Sequence, residues 1–318
     1  KRDFKRITDP LSKFGANFSL KDKKNLPLMV NGNTNLKSFK YLENKGSAQC
    51  KSAVIFGGMK SDGTTIIKAK KSRNHTELMC KYLKLPISVV SNKNYDFIKI
   101  KKVKKIKPFN YKIPSDISSS AFFIALTTLS ENSKIVVKNV NINPSRIGII
   151  TILKKMGVKI IFKNKKIYKG EQNADIEVTS PKILKSINCP AKLNSGAIDE
   201  FLLIFLIAAK AKGVSYFKGL AELDQKESPR LQWGSKILTK MGIKVITTKN
   251  SIRIFGNPNL NINKKIVIKD YLKDHRVFMT SIIASLTFGG TWEIHDKDSI
   301  KTSFPKFLNI INDLKNGN

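Results

Sequence analysis

Apolar residues recur at intervals of three and four over residues 75–84, 117–130, 145–156, 197–211, 230–241, 274–287 and 304–314, the spacing of helices that bury one face. Short β-branched runs such as 214–219 lie between them, and 244–248 with 251–255 reads as a hairpin. One arrangement repeats. A helix that stops at Gly and runs into a strand occupies residues 11–18, 153–160 and 238–245, with a degenerate copy at 82–89. Gly supplies the left-handed cap and the β-branched residues after it open the strand. A period of about 70–85 residues is too long for a solenoid and predicts duplicated α/β units with mixed sheets, each holding more than one helix. The alternation of Lys with Ile and Val over 99–107 predicts a strand with one solvated face. Pro108 and Pro114 follow, so a hinge near 107–116 is expected between residues 1–113 and 114–318.

The 318 residues are 41% hydrophobic, enough for two medium cores. Lys and Arg total 59 against 23 acidic residues, and a net charge of +36 raises nucleic acid or an anionic membrane as a partner. The lysines are dispersed along the chain, however, without a basic tail, a nucleic-acid motif or an aromatic stacking platform. Cys50, Cys80 and Cys189 have neither metal-ligand nor disulfide spacing, and suit a reducing compartment. His75, His275 and His295 are isolated, so no metal site is expected. The longest apolar run, 201–209, falls well short of the roughly 20 residues that span a bilayer.

Lys226-Glu227-Ser228-Pro229-Arg230 sets a carboxylate between cations where a strand gives way to a helix, a place where backbone N–H groups favour anions. The competing reading is a solvated ion cluster that merely caps the helix. Ile198-Asp199-Glu200 precedes the most apolar helix, where carboxylates are costly unless used or paired, so Asp199 is a candidate general base. Ser47-Ala48-Gln49-Cys50-Lys51-Ser52 offers hydroxyls, an amide and a cation to a phosphorylated or polyhydroxylated ligand. In Ser72-Arg73-Asn74-His75-Thr76-Glu77, Asn74 and Glu77 read as a capping box beside an exposed Arg73. Asp274 reads as an N-cap, which alone accounts for it, with Arg276 turned toward an anion.

Taken in order, these stretches resemble the enolpyruvyl transferase family, in its enolpyruvylshikimate-phosphate synthase branch. The family's Lys-Glu-Ser-Asp-Arg stands here as Lys226 to Arg230, its Asp-His-Arg as Asp274 to Arg276, and its Ile-Asp-Glu as Ile198 to Glu200. Its Ser-Ala-Gln-x-Lys-Ser is Ser47 to Ser52, its Asn-Pro-Thr/Ser-Arg-x-Gly is Asn143 to Gly148, and its Thr-Ser-Phe-Pro is Thr302 to Pro305. The resemblance implies two lobes of three similar α/β units each, closing over a cleft. It also implies transfer of the enolpyruvyl group of phosphoenolpyruvate to the 5-hydroxyl of shikimate 3-phosphate, releasing phosphate, on the path to chorismate and the aromatic amino acids. The implied enzyme is a cytoplasmic monomer that needs no cofactor and has no membrane or specific nucleic-acid partner.

By the same resemblance Asp199 takes the hydroxyl proton and Glu227 serves proton transfer at the phosphoenolpyruvate methylene. Ser47, Ala48, Gln49, Ser72, Arg73, Asp199 and Lys226 hold shikimate 3-phosphate, while Arg2, Gln49, Arg230 and Arg276 hold phosphoenolpyruvate. There are departures. Pro229 stands where the family usually carries Asp, Ser115 where it carries Gly, and Asp3 where it carries Pro; Lys301 lies one position before the best-matching Thr302. Lys1 and Arg2 match positions well inside the family's first lobe, so that lobe is expected to be incomplete here and the chain alone inactive. The alternative within the fold is the UDP-N-acetylglucosamine enolpyruvyl transferase, which works with a loop cysteine; Cys50 and Cys80 read instead as buried structural thiols.

Overall fold

Seen in a computed structural model that describes residues 4–21 and 25–315, the repeat unit is strand, helix, parallel strand, second helix and hairpin. The chain divides into two compact units, Lys1–Ile113 with Ile167–Gln172, and Pro114–Lys166 with Asn173–Asn318.

In the first unit α1 (Lys5–Ser12) precedes a hairpin of β1 (Asn17–Lys21) and β2 (Asn25–Asn31). A copy of the repeat follows: β3 (Lys40–Glu43), α2 (Ala48–Gly58), β4 (Thr64–Lys70), α3 (His75–Tyr82), β5 (Ile87–Ser91) and β6 (Tyr95–Lys101). Its sheet runs β3-β4-β6-β5, with β3 parallel to β4 and the other pairs antiparallel. Helix α2 is absent from the sequence-based expectation because Gly57 and Gly58 weaken its helical signal. Both glycines permit close packing: a Cβ on Gly57 would lie 2.5 Å from the Phe14 ring, and one on Gly58 2.6 Å from Ile100. The basic strand is also displaced from 99–107. It ends at Lys101, where its partner β4 begins at Thr64, so the alternation beyond has no strand to pair with. Asp96, Ile98 and Ile100 form its inward face.

The second unit holds the repeat three times, the third copy without a hairpin among the described residues. The first copy is α4 (Ile117–Leu129), β7 (Lys134–Asn141), α5 (Gly148–Lys155), β8 (Lys159–Tyr168) and β9 (Glu171–Thr179). The second is α6 (Asn194–Ala197), α7 (Phe201–Ala209), β10 (Gly213–Lys218), α8 (Arg230–Lys240), β11 (Val245–Thr247) and β12 (Ser251–Gly256). The third is β13 (Ile262–Ile268), α9 (His275–Thr287), β14 (Gly289–Ile294) and α10 (Phe307–Lys315). The leading strand of each copy pairs in parallel: Ser115 with Val140, Lys185 with Lys212, and β13 with β14.

The repeated cap is present in every copy the sequence suggested. Gly15, Gly157 and Gly242 have φ of 108°, 96° and 89°, and Lys84 takes the same left-handed turn at 54° in the degenerate copy. Val158, Ile243 and Leu85 N–H groups then bond back to Leu153, Leu238 and Cys80 carbonyls, closing the helix ends.

Helices α4, α7 and α9, the first long helix of each copy, pack together as the core of the second unit. All nine residues of α7 are buried. The single helix expected over 197–211 is broken at Ile198-Asp199-Glu200. There the Asp199 carbonyl accepts from Arg276 Nη1 at 2.8 Å, and helical bonding resumes with the Glu200 carbonyl accepting from Ile204 N.

Candidate active site

Each of the three core helices opens on a carboxylate. Asp116 caps α4 and accepts from Ser119 N; Glu200 is the N-cap residue of α7; Asp274 caps α9 and accepts from Arg276 N at 2.9 Å. Ser118 Oγ donates to Glu200 Oε1 at 2.5 Å and Arg276 Nη1 lies 3.9 Å from the same oxygen, so the three N-termini converge. Helix N-termini present unsatisfied N–H groups and a partial positive charge, so three that lie close together favour an anion nearby.

Arg230, the first residue of α8, joins the start of α9 to the segment before α7, its side chain 3% exposed. Its Nε and Nη2 donate to Asp274 at 2.8 and 3.2 Å, Nη2 also donates to Glu227, and Nη1 reaches Asp199 Oδ1 at 3.5 Å. Lys226 Nζ stands 3.4 Å from the same Asp199 oxygen. Asp199, Lys226, Glu227, Arg230 and Arg276 are therefore brought together, as their motifs suggested. Asp274 does more than cap. Besides the Arg276 N–H it accepts from Ser228 Oγ at 2.8 Å and from Arg230 twice. Burial would push its carboxyl up, but the Arg230 guanidinium, Ser228 and the Arg276 N–H outweigh that and hold it below the usual carboxylate range. Pro229 costs little, because it sits at the N-cap of α8, where a backbone N–H has no helical acceptor to lose. Glu227 remains 39% exposed, whereas Asp199 is 15% exposed, so Glu227 is the more accessible carboxylate.

In the first unit Ser47 caps α2 and, with Gln49 Oε1, accepts from Arg6 Nη2 at 3.0 and 3.1 Å. Ala48 is the first residue of that helix. The sequence reading missed Arg6, since eight residues of α1 with Pro10 inside carry little pattern. Ser72 and Arg73 lie in the loop before α3, with Ser72 Oγ buried. Arg2 lies outside the described residues. The capping-box reading of Glu77 is corrected: Glu77 is buried and meets Lys51 Nζ at 2.6 Å, while Ser52 and Thr76 hydroxyls bond at 2.7 Å. Lys51, fully buried, therefore ties α2 to α3 instead of facing a ligand. Cys50 and Cys80 are buried, and burial, reinforced by Glu77, pushes the Cys80 thiol up to about 11. Among the described residues no group of three His, Cys, Asp or Glu side chains could hold a metal ion.

The fold matches that of the enolpyruvyl transferase NikO from Streptomyces tendae, with TM-score 0.72 over 96% of this chain and 70% of that one at 12% identity, which places the chain among enolpyruvyl-transferase folds. More narrowly, it belongs to the EPSP synthase (3-phosphoshikimate 1-carboxyvinyltransferase) family, whose model matches residues 1–311. It is 36% identical to the 3-phosphoshikimate 1-carboxyvinyltransferase of Endomicrobium trichonymphae over 99% of this chain and 71% of that protein. With the protein of the same name from Ruthia magnifica it shares 38% over 99% and 70%. A solved EPSP synthase from Acinetobacter baumannii superposes with TM-score 0.84 at 34% identity, covering 98% of this chain and 70% of the other.

Proposed function

We propose that this chain carries enolpyruvyl transfer from phosphoenolpyruvate to the 5-hydroxyl of shikimate 3-phosphate, with release of phosphate. The new C–O bond forms at C2 of phosphoenolpyruvate, so the hydroxyl must lose a proton while the methylene carbon gains one. Departure of phosphate restores the double bond as that carbon returns a proton. Two carboxylates suit this traffic. Asp199, held by Lys226 and Arg230, takes the hydroxyl proton, and the more exposed Glu227 serves the methylene carbon. Arg230 and Arg276, together with Arg2 and Gln49, hold phosphoenolpyruvate. Ser47, Ala48, Gln49, Ser72, Arg73, Asp199 and Lys226 hold shikimate 3-phosphate. Residues 1–113 and 114–318 act as two lobes, and the enzyme works as a cytoplasmic monomer.

The observation that carries this reading is the sharing of one buried arginine, Arg230, by both carboxylates beside the capped start of α9. Cations and helix termini there offset the charge of two phosphorylated ligands held side by side. Among the described residues no helix is long and apolar enough to cross a membrane. The test is phosphate release by the full-length protein given phosphoenolpyruvate with either shikimate 3-phosphate or UDP-N-acetylglucosamine. Release that requires shikimate 3-phosphate is expected; release with the nucleotide sugar alone would overturn the assignment in favour of the sister activity.

A further inference from the structure

Glu200 is a buried carboxylate that the reaction just described does not use. It is 1% exposed, and its Oε1 accepts from Ser118 Oγ at 2.5 Å. Ser118 in turn accepts from Arg146 Nη2 at 2.7 Å, and the same Arg146 nitrogen donates to Asp116, the cap of α4, at 3.1 Å. On its other side Glu200 Oε1 stands 3.9 Å from Arg276 Nη1, the atom that donates to the Asp199 carbonyl. A line of contacts therefore runs from the start of α4, through Glu200 at the start of α7, to the guanidinium on the first turn of α9. The charged groups that face Glu200 along it are Arg276, Asp199 and Arg146. Burial pushes the Glu200 carboxyl up, Arg276 opposes this and Asp199 reinforces it.

We propose that Glu200 is a positioning residue which, braced by Ser118 and Arg146, holds the Arg276 guanidinium in place before an anionic substrate arrives. An arginine already ordered loses less rotamer freedom on binding, so the bracing raises affinity for the anion that Arg276 faces. This rests on the reading of Arg276 as a phosphoenolpyruvate ligand, and the experiment separates the two.

In steady-state kinetics of the full-length protein, Glu200→Ala is expected to raise KM for phosphoenolpyruvate about tenfold or more. KM for shikimate 3-phosphate should move less than about twofold on the same scale. Glu200→Gln keeps the oxygen that accepts from Ser118 and should restore both values to within about threefold. Ser118→Ala, a smaller change, should act in the direction of Glu200→Ala and serves in its place if that variant fails to fold. Arg276→Gln should raise the same KM, and Glu200→Ala should add nothing further in that background, since residues acting through one another are not additive. Full additivity, or an equal rise in both KM values, would overturn the positioning role while leaving Arg276 as a ligand. An unchanged KM for phosphoenolpyruvate in Arg276→Gln would overturn both.

Discussion

Asp274 joins the start of α9 to the buried Arg230, so its removal should cost the second unit more than a lost cap. Asp274→Ala forfeits the cap to the Arg276 N–H, about 1 kcal/mol. It also strips Arg230 of a fully buried partner, a change that costs about 3–5 kcal/mol where nothing compensates. Glu227 and Asp199 stay within reach of the guanidinium and soften the second loss, which leaves a total of about 3–5 kcal/mol. Asp274→Asn keeps the shape and a capping oxygen but not the charge, and should cost about 2–3 kcal/mol. Trp233 and Trp292, the only tryptophans, both lie in the second unit, so their fluorescence follows its unfolding alone. With a urea slope of about 2 kcal/mol per M, the midpoint for Asp274→Ala should fall by about 1.5–2.5 M. The pH dependence fixes the cause. A carboxyl held below its unfolded-state value contributes fully above that value, about 3.9, and its contribution is lost as pH falls through the lower folded value. The gap between wild type and Asp274→Asn should therefore close on acidification through that window. Variants within about 0.5 kcal/mol of wild type would refute the reasoning, as would a gap that stays constant into acid.

In the first unit, Lys51→Met should destabilise by about 3–5 kcal/mol because Glu77 is left buried and unpaired, whereas Lys51→Met with Glu77→Leu should return to within about 1 kcal/mol of wild type; thermal unfolding of the single and double variants checks this. Arg6→Gln should raise KM for shikimate 3-phosphate about fivefold or more with its unfolding midpoint unchanged, since Arg6 orients both Ser47 and Gln49; kinetics beside a thermal melt would show it.

The periodic segments were legible because tertiary packing asks of them what the local pattern already states. Gly157 and Gly242 mark helix ends by a backbone angle that few other residues accept, and α4, α8 and α9 begin within a residue of where the apolar spacing starts. What the pattern could not show was pairing across distance. Nothing near Glu77 in sequence reveals that Lys51 is its partner, and a capping box was the better local explanation. The break before α7 likewise coincides with a contact from far along the chain, Arg276 donating to the Asp199 carbonyl. Asp274 was legible as a cap, yet its bonds to Arg230 and Ser228 span more than forty residues. The basic strand was misplaced because alternation records which faces suit water and oil, not whether a neighbouring strand is there to pair with.

Proton delivery by Glu227 is the claim on which the functional reading most depends. Its most direct measurement is the turnover of phosphate release from phosphoenolpyruvate and shikimate 3-phosphate by the full-length protein, wild type against Glu227→Gln. Gln keeps the volume and an acceptor for Arg230 but cannot carry the proton. A kcat lower by at least about 100-fold, with both KM values within a few-fold of wild type, is the expected result. An unchanged kcat would contradict it and return Glu227 to the role of an ion-pair partner at the start of α8.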